Sequence, residues 1–120
     1  MRRMEFDLAE DEKAVQERAR EFADKEVLPR AAEIDRRGKF PVDIAQRMAE
    51  LKFFGLPFPI PYGGSSGTLM SYILMVEELS RASAGIGCLC AAELISMFSI
   101  YSAGSEEQKE RYLKPLCEGT

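Results

Sequence analysis

Few residues in this chain could carry out chemistry. It has no histidine, which removes the commonest general base and the commonest metal ligand. The three cysteines are Cys88, Cys90 and Cys117. None forms a C-x-x-C pair, so the spacing gives neither a zinc site nor a disulfide framework. Reduced thiols in a cytoplasmic protein are the simple reading. Gly63, Gly64 and Gly67 suggest a phosphate-cradling loop, yet no strand precedes them and no G-K-S/T follows. That leaves Glu93, the one charged residue between Ala84 and Ala103. An ionised carboxylate among Leu89, Met97 and Ile100 is costly unless paired. It either meets a partner such as an arginine from another helix or serves as a base with a raised pKa. A lone acid with no second group beside it favours the paired reading. The residues nominate no catalytic, cofactor-binding or metal-binding position.

The segment around Glu93 carries a second feature. Set at 100° per residue, Ile86, Leu89, Glu93, Met97 and Ile100 share one broad face. Gly87, Cys88, Ala91 and Ile95 share another, mostly small, bordered by Ser99 and Ser102. A strip of small side chains has two uses. It lets a neighbouring helix approach closely, or it leaves a groove for a slender apolar ligand. From the pattern alone the packing use is favoured.

The elements that must position this helix follow from caps and breakers. The first helix is expected from near Leu8, with Asp7 as cap and Glu10 in a capping box. Pro29 should kink or restart it, and Gly38 should end it. Pro41 opens a second helix carrying Ile44, Met48 and Leu51, with Gly55 as its stop. Pro57, Pro59 and Pro61 then force an extended, polyproline-like run, and Gly63 and Gly64 allow a tight turn. Thr68 caps a third helix, Leu69 to Ser80, apolar on most of its circumference and so expected to be largely buried. Ser83 caps the fourth, which runs to about Ser102 as a buried core helix. Ser105 opens the fifth with an S-E-E-Q capping box, and Pro115 closes or bends it. Nothing reads as a strand. The expected architecture is all-α, an antiparallel bundle of about five helices.

Composition narrows the class. One domain fits in 120 residues, and 46% hydrophobic with 30% charged residues is a globular mix. The net charge of −4, without a basic cluster, argues against nucleic acid as a partner. The start MRRMEF has no apolar run behind it, so a cleaved secretion signal is not expected. Ala84 to Ala103 is long enough to span a bilayer. Glu93 at mid-span, three serines and the lack of a flanking basic cluster argue against that.

The order of these pieces resembles the N-terminal helical domain of the FAD-dependent acyl-CoA dehydrogenases. The resemblance begins with FDLAEDEKAVQERAREFADKEVLPRAAEID and continues through FPVDIAQRMAELKFFGLPFPIPYGGSSG, close to the family's "ELG..G...P..YGG.G". It ends with EELSRASAGIG and GSEEQKERYLKPLCEGT, similar to "EEL.....G" and "GTEEQK.KYL..L..G". It covers nearly all of residues 1–120, read as one N-terminal helical domain.

The resemblance implies an enzyme that dehydrogenates an acyl-CoA thioester between Cα and Cβ. A glutamate takes the α-proton, FAD takes the β-hydride, and an electron-transfer flavoprotein reoxidises the flavin. It implies further a middle β domain, a C-terminal helical domain and a homo-oligomer. The acyl chain would lie against the helix Ala84 to Ser102. The positions that carry over are Gly87, Cys88, Ala91 and Ile95, which turns the small strip toward the groove reading. Glu93 does not match the family's base. The family's flavin-contacting strands and catalytic glutamate lie beyond the matching stretch, so this piece alone is expected to be inactive and to hold FAD weakly. Two rival readings accompany this one: an acyl-CoA oxidase or flavin monooxygenase on the same scaffold, and a non-catalytic helical interaction module. Helices apolar nearly all round also predict exposed apolar patches or self-association in the isolated piece.

Overall fold

The computed structural model describes residues 6–120. The reading of the extreme N-terminus, Met1 to Glu5, falls outside them. Among the described residues every regular element is helical.

Helix α1, Glu10–Phe22, starts later than expected. Its N-cap is Ala9, not Asp7, and the Ala9 N–H donates to the Glu12 carboxylate at 3.0 Å. Glu10, Asp11 and Glu12 therefore crowd the positive end of the helix dipole. The chain then widens into a π turn, Ala23–Val27, and tightens into a 3-10 turn, Leu28–Arg30, at Pro29. Proline supplies no amide donor, so the ladder must break there. It restarts as α2, Ala31–Arg37, which Gly38 ends in the left-handed region at φ 59°.

Helix α3, Val42–Glu50, follows Pro41. It stops at Leu51, well short of Gly55, because Lys52 takes φ 59°. The expected glycine stop is thus a lysine holding a conformation that costs an L-residue about 1–2 kcal/mol. The Pro/Gly stretch is only partly extended. Pro59 is extended at φ −61°, ψ 149°, but Pro61 lies in a 3-10 turn, Ile60–Tyr62, closed by Gly63 at φ 80°. The loop then folds back on itself. Ser65 N–H donates to Gly55 O at 3.1 Å, Ser66 N–H to Phe58 O at 2.8 Å and Gly67 N–H to Leu56 O at 2.7 Å. A Cβ on Gly64 would lie 2.0 Å from Phe58 O, so only glycine permits this fold-back.

Helix α4, Leu69–Ala82, is capped by Thr68, whose hydroxyl accepts the Ser71 N–H at 3.0 Å. A single residue, Ser83, separates it from α5, Ala84–Ala103. Ser83 caps α5 through the Ile86 N–H at 3.4 Å. The last segment is α6, Glu106–Gln108, a π turn, Lys109–Leu113, and α7, Lys114–Glu118, restarted at Pro115. Its S-E-E-Q box forms as expected, with the Ser105 hydroxyl accepting the Gln108 N–H at 3.2 Å.

The main core joins α1, α3 and α4 through Phe22, Ile44, Met48, Phe53, Met75 and Leu79. A second core sits beneath the outer half of α5, where Phe58 from the loop meets Met97, Leu113 and Cys117. The Pro/Gly loop is therefore a plug. Two expectations of burial are corrected. Leu69, Met70 and Ile73 of α4 are about half exposed. Helix α5 buries only Ile86, Gly87, Cys90 and Met97. Apolar residues all round a helix do not say which side is covered, and here a broad outer side that includes large residues such as Ile73 and Ile95 stays open.

Candidate functional site

The open side of α5 is held by its junction with α4. A Cβ placed on Gly87 would lie 1.8 Å from Ser80 Oγ and 2.9 Å from Ser80 Cα. Any side chain there would push the helices apart. The Tyr72 hydroxyl, fully buried, donates to Cys90 O at 2.8 Å and pins the pair further along. Together these contacts make α4 and α5 an antiparallel hairpin. Burial raises the Tyr72 pKa, so the phenol stays a neutral donor.

The structure divides the four strip residues. Gly87 is buried in the α4 contact, which is the packing use. Cys88, Ala91 and Ile95 are exposed, with Ile95 at 70% of its full surface. The bordering serines add little polarity. Ser99 Oγ donates to Ile95 O at 2.9 Å and Ser96 Oγ to Ala92 O at 3.3 Å, so both hydroxyls are bonded to the helix's own carbonyls. Helix α4 has exposed apolar residues of its own, Leu69, Met70 and Ile73. Seven residues on from the Ser80–Gly87 contact, about 10.5 Å along each axis, Ile73 lies level with Leu94. Four further on, Leu69 lies level with Phe98. Of these four, Ile73 and Leu69 are about half exposed, while Leu94 and Phe98 are partly buried against the two cores.

The opposite flank of α5 opens into two clefts. One of about 540 Å³ lies against the α2–α3 connection and includes Ile34, Lys39, Phe40, Cys88, Leu89 and Glu93. The other, about 320 Å³, reaches Val42, Phe54 and Leu116. Phe40, Leu89 and Glu93 line both. Of the strip, Cys88 alone borders a cleft; Gly87, Ala91 and Ile95 do not.

The paired acid of the fold is not Glu93. Among the described residues no cation or hydrogen-bond donor reaches the Glu93 carboxylate, although the sequence reading favoured a partner such as an arginine. The buried, arginine-paired acid is Glu78. Arg20 donates to its Oε1 through Nη2 at 2.8 Å and Nε at 3.1 Å, and Arg81 Nε donates to Oε2 at 3.1 Å. Arg81 also reaches Asp24 at 2.6 Å. Hydrogen bonds from Arg20, then Arg81, hold Glu78 below the usual carboxylate range despite burial. The i,i+3 spacing of Glu78 and Arg81 was visible in sequence; the partner on α1 was not.

The thiols are free: Cys88 is exposed, and Cys90 and Cys117 are buried. Burial pushes Cys90 up to about 12 and Cys117 up to about 11, so neither is a nucleophile near neutral pH. Among the described residues no group of His, Cys, Asp or Glu could hold a metal ion. The arrangement can bind apolar matter along α5; it contains no acid–base pair to transform it.

Comparison with known proteins identifies the kind of domain. A family model described as "Acyl-CoA dehydrogenase, N-terminal domain" matches residues 9–120. The short-chain-specific acyl-CoA dehydrogenase of Clostridium acetobutylicum is 40% identical over 117 residues, covering 97% of this chain and 31% of that protein. The solved butyryl-CoA dehydrogenase of Megasphaera elsdenii superposes with a TM-score of 0.89 at 33% identity, covering 97% of this chain and 31% of that one. A chain in the structural work on the electron transferring flavoprotein of Acidaminococcus fermentans gives a TM-score of 0.92 at 40% identity, covering 98% and 31%. The chain thus spans about a third of the length of the relatives it matches. The match of the family model over residues 9–120 shows that the chain belongs to the acyl-CoA dehydrogenase family, as its N-terminal domain.

Proposed function

We propose that this domain supplies the acyl-chain wall of an FAD-dependent acyl-CoA dehydrogenase, working with a middle β domain and a C-terminal helical domain. The observation that carries the reading is the uncharged open side of α5. Cys88, Ala91 and Ile95 face outward there, while Gly87 packs close against Ser80 of α4 and holds the helix in place. A thioester's hydrocarbon tail needs a long, smooth apolar contact, and small side chains leave room for its thickness.

The flavin's chemistry is acceptance of a hydride. We assign its seat to the other domains. No buried side-chain nitrogen or oxygen lacks a partner, and Gly64 is packed against Phe58 O rather than open to a phosphate. The domain's own work is therefore to bind and orient the acyl group and to keep water from it. We further assign the enzyme an electron-transfer flavoprotein as redox partner, a homo-oligomeric assembly and a cytoplasmic location. The relationship to a chain from the Acidaminococcus fermentans work supports the redox partner. The free thiols suit a reducing compartment.

The test is Ala91→Phe in the assembled enzyme. Filling the strip should lower kcat/KM for long acyl-CoA substrates by about tenfold or more, with short ones little changed. An unchanged chain-length profile would remove the strip from the pocket. Flavin reoxidation by oxygen instead of an electron-transfer flavoprotein would assign the enzyme to the oxidases of this scaffold.

A further inference from the structure

The stretches Y-G-G at 62–64 and E-E-Q-K at 106–109 are separate in sequence, and the fold brings them together. The Tyr62 hydroxyl donates to Glu106 Oε2 at 2.5 Å, across 44 positions of chain. Lys109 Nζ donates to Glu106 Oε1 at 3.2 Å. The same ammonium stands 5.9 Å from the centre of the Tyr62 ring and 5.5 Å from that of Tyr101 on α5. The hydrogen bond to Glu106 pushes Tyr62 up to about 12, so the phenol stays a donor near neutral pH. Lys13, Lys25 and Lys114 also pair with an acid three or four positions away, and their side chains keep 42% or more of their surface. Lys109 keeps 17%. Pairing within a helix does not draw a lysine in; two aromatic faces do.

The two halves of α5 are held differently. Gly87 against Ser80 and Tyr72 on Cys90 O fix the inner half to α4. The outer half rests on Phe58, Met97, Leu113 and Cys117. Phe58 also meets the rings of Phe98 and Tyr101, at 5.3 and 5.7 Å between centres. Apolar burial is non-directional. A cation held over two ring faces by a carboxylate is directional, and a helix carries that constraint along its axis.

We infer that Lys109 is a positioning residue: clamped by Glu106 and Tyr62 over Tyr101, it fixes the outer half of α5, and with it the exposed Ile95 and Ser99, at the angle that meets the acyl chain. The inference rests on the proposed function, which gives that angle a substrate to serve. The Pro/Gly loop and the last helical segment are then two jaws on the end of one helix.

The experiment uses the assembled holoenzyme with Lys109→Met, which keeps the stem and loses the charge, and Lys109→Arg, which keeps a cation over the rings. Lys109→Met should raise KM for the preferred acyl-CoA about three- to tenfold with kcat within about twofold, and Lys109→Arg should restore most of the loss. Tyr62→Phe, which keeps the ring and frees Glu106, should move KM the same way by less, and it carries the test if Lys109→Met does not fold. A second readout needs no substrate. In an Ile95→Cys background, Lys109→Met should change maleimide alkylation at position 95 by about threefold or more and leave that at Cys88, on the inner half, unchanged. A lower melting temperature and lower kcat with KM unmoved would make Lys109 a packing residue and overturn the inference. Equal KM values and equal alkylation rates in all variants would overturn it too, as would a Lys109→Arg that restores nothing. A changed rate at position 95 with KM unmoved would uphold the clamp and strike the acyl-chain wall, so the two failures are read apart.

Discussion

The α1–α4 seam and the outer side of α5 are built from the same kinds of helix and finished in opposite ways. At the seam, Ala19, Phe22, Met75 and Leu79 are buried, and the rim is closed by Arg20, Glu78, Arg81 and Asp24. On α5, Cys88, Ala91, Ile95 and Ser99 lie open with no charge among them. A seam closed by its own chain can use charge at its edge, because each carboxylate finds its guanidinium in the same fold. A face kept for something else must stay uncharged, since an unpaired charge would have to be desolvated on contact.

Substitutions at the two places should therefore differ in kind. Leu79→Ala, deep in the seam, should cost about 2–5 kcal/mol in urea unfolding. Gly87→Val comes next, at about 1–3 kcal/mol, because its side chain would occupy the space of Ser80; restoring room with Ser80→Gly should recover part of the loss. Glu78→Gln should cost about 1–2 kcal/mol at neutral pH. Its pH dependence carries the sign. Glu78 sits below its ordinary value of 4.5 in the folded chain. Its contribution is thus complete above that value and lost as pH falls through the lower, folded one. Acid titration should narrow the gap between wild type and Glu78→Gln, and a gap that stays constant would remove Glu78 from the rim.

Lys52→Gly should stabilise the domain by about 1 kcal/mol, by releasing a lysine from a left-handed conformation. At the small end, Ile95→Ala should change the isolated domain by no more than about 0.5 kcal/mol. A loss as large as that of Leu79→Ala would show that the outer face is core after all.

What the sequence revealed divides along the same line. Thr68, Ser83 and Ser105 cap their helices as read, and Pro29 and Gly38 break theirs, because each acts on backbone groups a few residues away. The all-α architecture follows from those local signals. The burial of α5 did not. Its apolar residues surround the axis, so the side that touches α4 is chosen by Gly87 meeting Ser80, a tertiary fact. Glu93 was read as the paired acid, and Glu78 was not singled out, for a similar reason. One sits among apolar neighbours in sequence, but the other meets an arginine 58 positions away. Lys52 was missed as a helix stop because a lysine gives no sign of a positive φ, even where the family pattern carries a glycine. Of the strip, the sequence grouped four residues on one face, and the structure separates Gly87 as a brace from the three that remain open.

Cys88 offers the most direct test, since it is the one exposed thiol and lies on the open side of α5. Alkylation by a maleimide should be rapid in the isolated domain. It should slow on assembly with the rest of the enzyme and slow again when a long-chain acyl-CoA is added, with Cys90 and Cys117 silent throughout. A Cys88 that reacts at one rate in all three conditions would mean that nothing covers this face, and the acyl-chain wall would have to be sought elsewhere.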